Sequence, residues 1–276
     1  MPANCVFLFR TFINLRRKTT TAANLSAGIA RLGHNVLLID FDPQANATIS
    51  FGINVNEPRL TVYDLLRGDA KPEQAILHVA DHLDLLPSSI DLAGAEVELN
   101  SVIGREQALR DALSGLSGYD FVLVDCPPSL GLLNINALAF VDEVFIPLQC
   151  EYFALHGISL LMKTVDLVQR RIHPRLRITG VVPCMYDGRT SLSKEVVSEI
   201  GRFFQERVFK TLVRANVRLA EAPSHGQTIF DYAPDSAGAE DYGALAKEVV
   251  AMKITPPPLQ TSAPAAADAA APEAAR

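Results

Sequence analysis

Three short segments carry residue types suited to chemistry on phosphates. Lys18-Thr19-Thr20-Thr21 stands at the start of a helix-favouring run. A lysine and hydroxyls at a helix N-terminus suit an anion, because the backbone N–H groups and the helix dipole point there as well. The apolar run Val36–Asp40 ends in Asp40, followed by Phe41 and Asp42, and the run Phe121–Asp125 ends in Asp125, followed by Cys126-Pro127-Pro128. A strand-end aspartate can hold the Mg²⁺ that accompanies a nucleotide. Taken singly, Asp40 or Asp125 is as readily a turn or helix-cap residue; the combination carries the reading.

The elements that must position these residues are legible as a repeating pattern. Short β-branched or Leu-rich runs bounded by polar residues recur at Val36–Ile39, Leu83–Leu86, Phe121–Val124, Val144–Leu148 and Ile178–Val182, as expected of strands buried on both faces. Cys5–Phe9 is also strand-like. Helical patterns fall between them at Thr19–Leu32, Gly104–Leu116, Ala154–Arg171, Leu192–Glu206 and Gly238–Met252. Alternating strand and helix predicts an α/β fold with a mostly parallel, twisted sheet flanked by helices and joined by right-handed crossovers. Ligands on such sheets bind outside the carboxyl ends of the strands, which is where Asp40, Asp42 and Asp125 fall. The pattern predicts one domain over residues 1–254. Beyond it, residues 255–276 are rich in Pro and Ala with no large apolar anchor after Leu259, which predicts a disordered tail.

Composition narrows the classes. The chain has 276 residues, 49% of them hydrophobic and none of them Trp, which argues against a base-stacking nucleic-acid platform. The net charge of -6 argues against a globally basic DNA-coating protein. Lys163 to Arg218, however, holds twelve Lys and Arg against five Asp and Glu, a surplus of seven that leaves -13 on the remainder. Such a stretch suggests one surface for a polyanion, the plainer alternative being solvated arginines on helix faces. Cys5, Cys126, Cys150 and Cys184 have no metal-ligand or disulfide-framework spacing and fit buried thiols in a reducing, cytoplasmic setting. The run Cys5–Phe9 lacks the features of a signal peptide, and no stretch approaches the roughly 18 apolar residues of a membrane span.

Five blocks in order bear a resemblance to a known family. KTTTAANLSAGIARLGHNVLLIDFDPQANATISFG (18–52), FVLVDCPPSLG (121–131), VFIPLQCEYFALHGISLL (144–161), MYDGRTSLS (185–193) and NVRLAEAPSHGQTI (216–229) resemble the ParA-type partition ATPases. The resemblance spans Lys18 to about Met252, roughly 85% of the chain. It implies a P-loop NTPase-like fold using ATP and Mg²⁺. Position by position, it implies that Lys18 contacts the β- and γ-phosphates, Thr19 ligates Mg²⁺ and Thr20 lies beside the α-phosphate. Asp42 would orient the attacking water, Asp40 would stand in the metal's outer shell, and Asp125 would be the Walker B carboxylate at the metal. Arg189 and Arg218 match positions linked to non-specific DNA binding, and both fall in the basic stretch. The family acts on chromosomes or plasmids as an ATP-dependent homodimer on the nucleoid, with a ParB-type centromere-binding partner. A membrane-cycling relative would need a basic amphipathic C-terminal helix, which the Pro/Ala tail lacks, and a cluster-carrying relative would need paired cysteines.

The pattern breaks at one place. Where the family reads Lys-Gly-Gly-Val-Gly-Lys-Thr, this chain reads Ile13-Asn14-Leu15-Arg16-Arg17-Lys18-Thr19. Glycines let such a loop turn tightly and bring its N–H groups onto the phosphates; Leu15, Arg16 and Arg17 bring side chains there instead. The lysine that reaches across the dimer is Ile13. The match is nearly complete after Lys18 and nearly absent before it, which favours an altered reading frame or start upstream over gradual drift. The alternative is an ATPase-dead relative that keeps the fold and binds DNA or a partner.

Overall fold

The computed structural model describes residues 5–9, 18–129, 131–150 and 158–252. The segment Ile13–Arg17, the Lys18 side chain and the tail 255–276 lie outside what is described. Among the described residues the strands are β1 Cys5–Phe9, β2 Val36–Asp40, β3 Leu77–Ala80, β4 Leu83–Leu86, β5 Phe121–Asp125, β6 Glu143–Gln149, β7 Arg177–Tyr186 and β8 Val213–Arg214. They form one sheet in the order β3-β4-β2-β5-β1-β6-β7-β8. All pairings are parallel except β3 with β4, an antiparallel edge hairpin turned through Asp81 and His82, whose φ is 60°.

Period-two alternation sends each strand's side chains into two separate cores. Leu37, Ile39, Val122, Val124, Val144 and Ile146 pack on one face with the helices Leu132–Phe140, Ile158–Arg171 and Ser191–Phe204. Val36, Leu38, Leu83, Leu85, Leu123 and Val182 pack on the other with the first helix, Lys18–Ala30, and the last, Ala237–Val250. Strands buried on both faces read as unbroken apolar runs, which is why the five runs are visible in the sequence. The first helix is buried on nearly all sides from Thr21 to Ala30 because small residues let its neighbour approach. A Cβ placed on Gly28 would lie 3.0 Å from the Cβ of Ala246 in the last helix.

The expected helix Gly104–Leu116 is instead a 3₁₀ turn, Arg105–Gln107, followed by Ala108–Ala112. Gly104 itself sits in the left-handed region at φ 76°, outside any helix. The helix Leu132–Phe140 has no counterpart in the sequence reading, since its run LLNINALAF is short, apolar and without clear period.

The loop after β8 is pinned by a backbone-to-backbone approach. Gly226 has φ 63°, and a Cβ there would lie 2.5 Å from the Cα of Gly52. Gly226→Ala therefore meets both a strained conformation and a backbone wall. It is expected to lower unfolding free energy by about 1–3 kcal/mol, read as a lower midpoint in urea titration; an unchanged midpoint would show that the two loops part freely.

Candidate functional site

A cavity of about 990 Å³ opens at the carboxyl edge of the sheet. Thr19, Thr20, Asp42, Pro127, Met185 and Asn216 are among the residues that line it. They come from the first helix and from the ends of β2, β5, β7 and β8, so five connections deliver side chains to one place. The sheet order reverses at β1, with β2 and β5 on one side of it and β6, β7 and β8 on the other, and the site lies at the carboxyl edge across this switch point, where such folds bind ligands.

The first turns of the first helix are held from behind. Thr21 Oγ1 and the Tyr242 hydroxyl share a buried hydrogen bond of 3.0 Å. Asn24 Nδ2 donates to the Thr20 carbonyl at 2.7 Å, and Asn24 Oδ1 accepts from the Ile229 N–H at 2.7 Å. Each bond contributes on the order of 1 kcal/mol, and together they fix the helix start against the last helix and the loop after β8. Thr19, 6% exposed, and the half-buried Thr20 are thereby presented to the cavity.

The carboxylates sit side by side. Asp40 and Asp125 are partners in the β2–β5 register, and both are fully buried. Asp40 Oδ2 accepts from the Thr48 N–H and hydroxyl, each at 2.7 Å, and its Oδ1 accepts from the Asp42 N–H at 3.3 Å. Thr48 Oγ1 in turn accepts from the Ser88 N–H at 3.0 Å. Burial outweighs these bonds and pushes the Asp40 carboxyl up to about 7. Asp42 is 7% exposed and lines the cavity, with its Oδ1 accepting from the Gln44 N–H at 3.0 Å. The Asn134 side chain donates to the carbonyls of Pro127, at 3.1 Å, and Ser129, which anchors the loop after Asp125. Cys126, Cys150 and Cys184 are buried thiols.

The basic stretch does not form one surface. Arg170, Arg171, Arg175 and Arg177 lie at the amino end of β7, whereas Arg189 follows the carboxyl end of β7, Arg214 ends β8 and Arg218 follows it. The ten residues of β7 hold the two groups about 30 Å apart, at roughly 3.3 Å per residue. This corrects the expectation of a single polyanion face: sequence proximity was mistaken for spatial proximity. Arg189 and Arg218 do share the carboxyl edge with the cavity. Arg189 pairs with Asp187 through Nε at 2.9 Å and Nη2 at 2.8 Å, and the guanidinium and its backbone N–H draw the Asp187 carboxyl down to about 2. Arg218 donates to Glu221 at 2.9 Å, and its N–H donates to Asn216 Oδ1 at 2.9 Å.

A model of the AAA_31 family, an AAA domain, matches residues 16–178. The sporulation initiation inhibitor protein Soj of Bacillus subtilis is 50% identical over 85% of this chain and 93% of its own length. The chromosome-partitioning ATPase Soj of Treponema pallidum is 48% identical over 85% of this chain and 92% of its own. The chain belongs to the ParA/Soj family of chromosome-partitioning ATPases. A crystal structure of cobyrinic acid a,c-diamide synthase from Mycobacterium smegmatis, with bound ADP and magnesium, superposes with a TM-score of 0.79 at 33% identity, covering 90% of this chain and 94% of that one. The fold is P-loop NTPase-like. Among the described residues of this ParA/Soj member, no helix is long and apolar enough to cross a membrane.

Sequence reasoning missed the supporting cast: Asn24, Thr48, Asn134, Arg214, Asn216 and Tyr242. Arg214 is 44% exposed at its side chain but tied to Asp241, which is 8% exposed, at 2.6 Å and to Glu240 at 2.5 Å, so it anchors the last helix to β8. Asn216 opens one block already singled out in the sequence, and Asn24 and Thr48 lie within another, 18–52, which was the available signal; Asn134, Arg214 and Tyr242 lie outside the five blocks.

A folded-state carboxyl raised above its unfolded value binds its proton in the native state while the unfolded chain has lost it. Between about pH 4 and 7, Asp40 is therefore expected to make stability fall as pH rises, by about 1.4 kcal/mol per pH unit at most. Asp40→Asn should flatten that slope in urea titrations of the nucleotide-free protein. An equal slope in the variant would mean that Asp40 is ionised in the folded protein throughout this range.

Proposed function

We infer that the chain is a ParA-type partition ATPase whose nucleotide site is the cavity at the carboxyl edge, and which acts as an ATP-dependent dimer on DNA of any sequence. The convergence of Thr19, Thr20, Asp42 and the loop after Asp125 on that one cavity carries the reading. The donor set suits MgATP: a helix N-terminus with hydroxyls for phosphate and cation, and carboxylates on adjacent strands behind it. Bound MgATP would supply the γ-phosphoryl group and the cation that neutralises it. Lys18 would contact the β- and γ-phosphates, Thr20 the α-phosphate, and Thr19 with Asp125 would hold the cation. Asp42 would orient the attacking water, its carboxylate steadied by the Gln44 N–H. Asp40 would act behind them, holding Thr48 and the Asp42 backbone rather than the nucleotide. Arg189 and Arg218, beside the cavity, would contact DNA phosphates. A ParB-type protein would be the partner, and the cytoplasm and nucleoid the place of action.

A second reading, a relative that has lost hydrolysis but keeps the fold, is favoured by one observation. Ile13–Arg17 lacks the family's glycines, and the family match begins only at residue 16. The chain as it stands is expected to bind ATP weakly in calorimetry with Mg²⁺, because the loop that cradles the phosphates is altered. A micromolar Kd would show that these residues build a cradle without glycine. Restoring the loop by Ile13→Lys, Asn14→Gly, Leu15→Gly, Arg16→Val and Arg17→Gly is expected to recover slow phosphate release. Adding Asp42→Ala to that background should abolish turnover with ATP binding largely kept; turnover at the same rate would remove Asp42 from the water-orienting role.

The DNA reading has its own test in the loop-restored protein with ATP. Arg189→Ala and Arg218→Ala should each weaken binding to duplexes of any sequence and reduce the salt slope by about one. Equal affinity and an equal slope in both variants would place the DNA surface elsewhere.

A further inference from the structure

Arg189 after β7, Arg214 at the end of β8 and Arg218 just after it each have carboxylate partners, but the three arginines differ in kind. Arg214 is held by Asp241 and Glu240, and Asp241 is almost fully buried, so that pair is part of the scaffold. Arg189 is 90% exposed at its side chain and Arg218 55% exposed; Asp187 belongs to the same surface loop as Arg189, and Glu221 to the same single helical turn as Arg218. Asp187 takes both the Nε and Nη2 hydrogens of Arg189, at 2.9 and 2.8 Å, which is the two-point geometry a phosphate would use. Glu221 Oε2 accepts from Arg218 at 2.9 Å and from the Tyr232 hydroxyl at 3.1 Å, while the His225 ring stacks on Tyr232 with centroids 4.9 Å apart.

The geometry points to Asp187 and Glu221 as displaceable anionic clamps on this surface: Asp187 occupies the two-nitrogen donor face of Arg189, and Glu221 holds Nη1 of Arg218, donors that a polyanion backbone must take over. This rests on the reading that Arg189 and Arg218 contact DNA. Binding then exchanges an internal carboxylate for a phosphate at both positions. An exchange gains less than pairing a bare arginine, and the displaced carboxylate remains near the phosphate. Exposed pairs of this kind are weak, so the clamps lower affinity without closing the surface. The Arg214 pairs, with a nearly buried partner, do not exchange.

The amide variants isolate the clamp. Asp187→Asn keeps an oxygen for the Arg189 N–H, which Asp187 Oδ1 accepts at 3.0 Å, but can no longer accept from both guanidinium nitrogens. Glu221→Gln keeps an acceptor for Tyr232 but loses the charge. Affinity of the full-length, loop-restored protein with ATP and Mg²⁺ for a 30-base-pair duplex of arbitrary sequence is measured by fluorescence anisotropy at low salt. Each variant is expected to bind about 2–5-fold more tightly, a range set by the usual strength of exposed pairs. The gain should vanish in Asp187→Asn combined with Arg189→Ala. Asp81→Asn, the same charge change in the turn before β4 at the amino edge of the sheet, should give no such gain. Three results overturn the clamp alone, provided that the Arg→Ala variants weaken binding: amide variants that bind no more tightly, amide variants that bind more weakly, or a gain equalled by Asp81→Asn. If neither Arg→Ala variant changes affinity, or no variant binds detectably, the DNA reading of these arginines falls and takes the clamp with it.

Discussion

Two carboxylates buried side by side on neighbouring parallel strands set the terms for the rest of this molecule. Asp40 and Asp125 are register partners at the carboxyl ends of β2 and β5, with no solvent exposure. Charge in such a place is costly unless it is met by hydrogen bonds or by protonation. The chain supplies both. Thr48 offers its N–H and hydroxyl to Asp40, the Asp42 N–H adds a third donor, and the carboxyl still retains its proton up to near neutrality. The same bonds fix the turn after β2, so the cost of burying Asp40 is offset by a rigid seat for Asp42 at the cavity. The carboxylate that faces the cavity is positioned by one that does not.

The cavity's other walls follow the same economy of support from behind. The first helix presents Thr19 and Thr20 because Asn24 and Thr21 tie its opening turns to Ile229 and Tyr242, more than 200 residues away in sequence. The loop after Asp125 is anchored to its own following helix by Asn134. Asn216 both lines the cavity and holds the Arg218 N–H. The wall of the nucleotide candidate site and the backbone of a DNA-candidate arginine thus share one side chain.

Charge on this protein is organised by pairs rather than by patches. The basic stretch that stood out in the sequence is split by β7 between the two ends of the sheet, and several of its arginines are matched locally: Arg170 by Asp166, Arg189 by Asp187, Arg218 by Glu221. A count of charges along the chain registers the surplus but not the pairing: these partners lie two to four residues away, and only the local backbone decides that each arginine closes on its own.

The α/β class, six of the strands, β1 included, and the carboxyl-edge position of the candidate residues were legible in the sequence alone. Parallel strands covered on both faces leave unbroken apolar runs, and the residues that end those runs must lie at the carboxyl edge. Asp40, Asp42, Asp125 and the Thr19–Thr20 pair were found on that ground, and the family on the five ordered blocks. The broken glycine loop at Ile13–Arg17 was also a matter of sequence, since it is a statement about residue types. Tertiary structure alone decided that Asp40 is spent on Thr48 and Asp42, that Tyr242 and Asn24 brace the first helix, and that Arg189 and Arg218 stand on the cavity's edge already paired while Arg170 to Arg177 stand on the opposite one. These are contacts between residues far apart in sequence, or choices among equally near partners. Periodicity along a chain reports which face of an element is buried, but not what it is buried against.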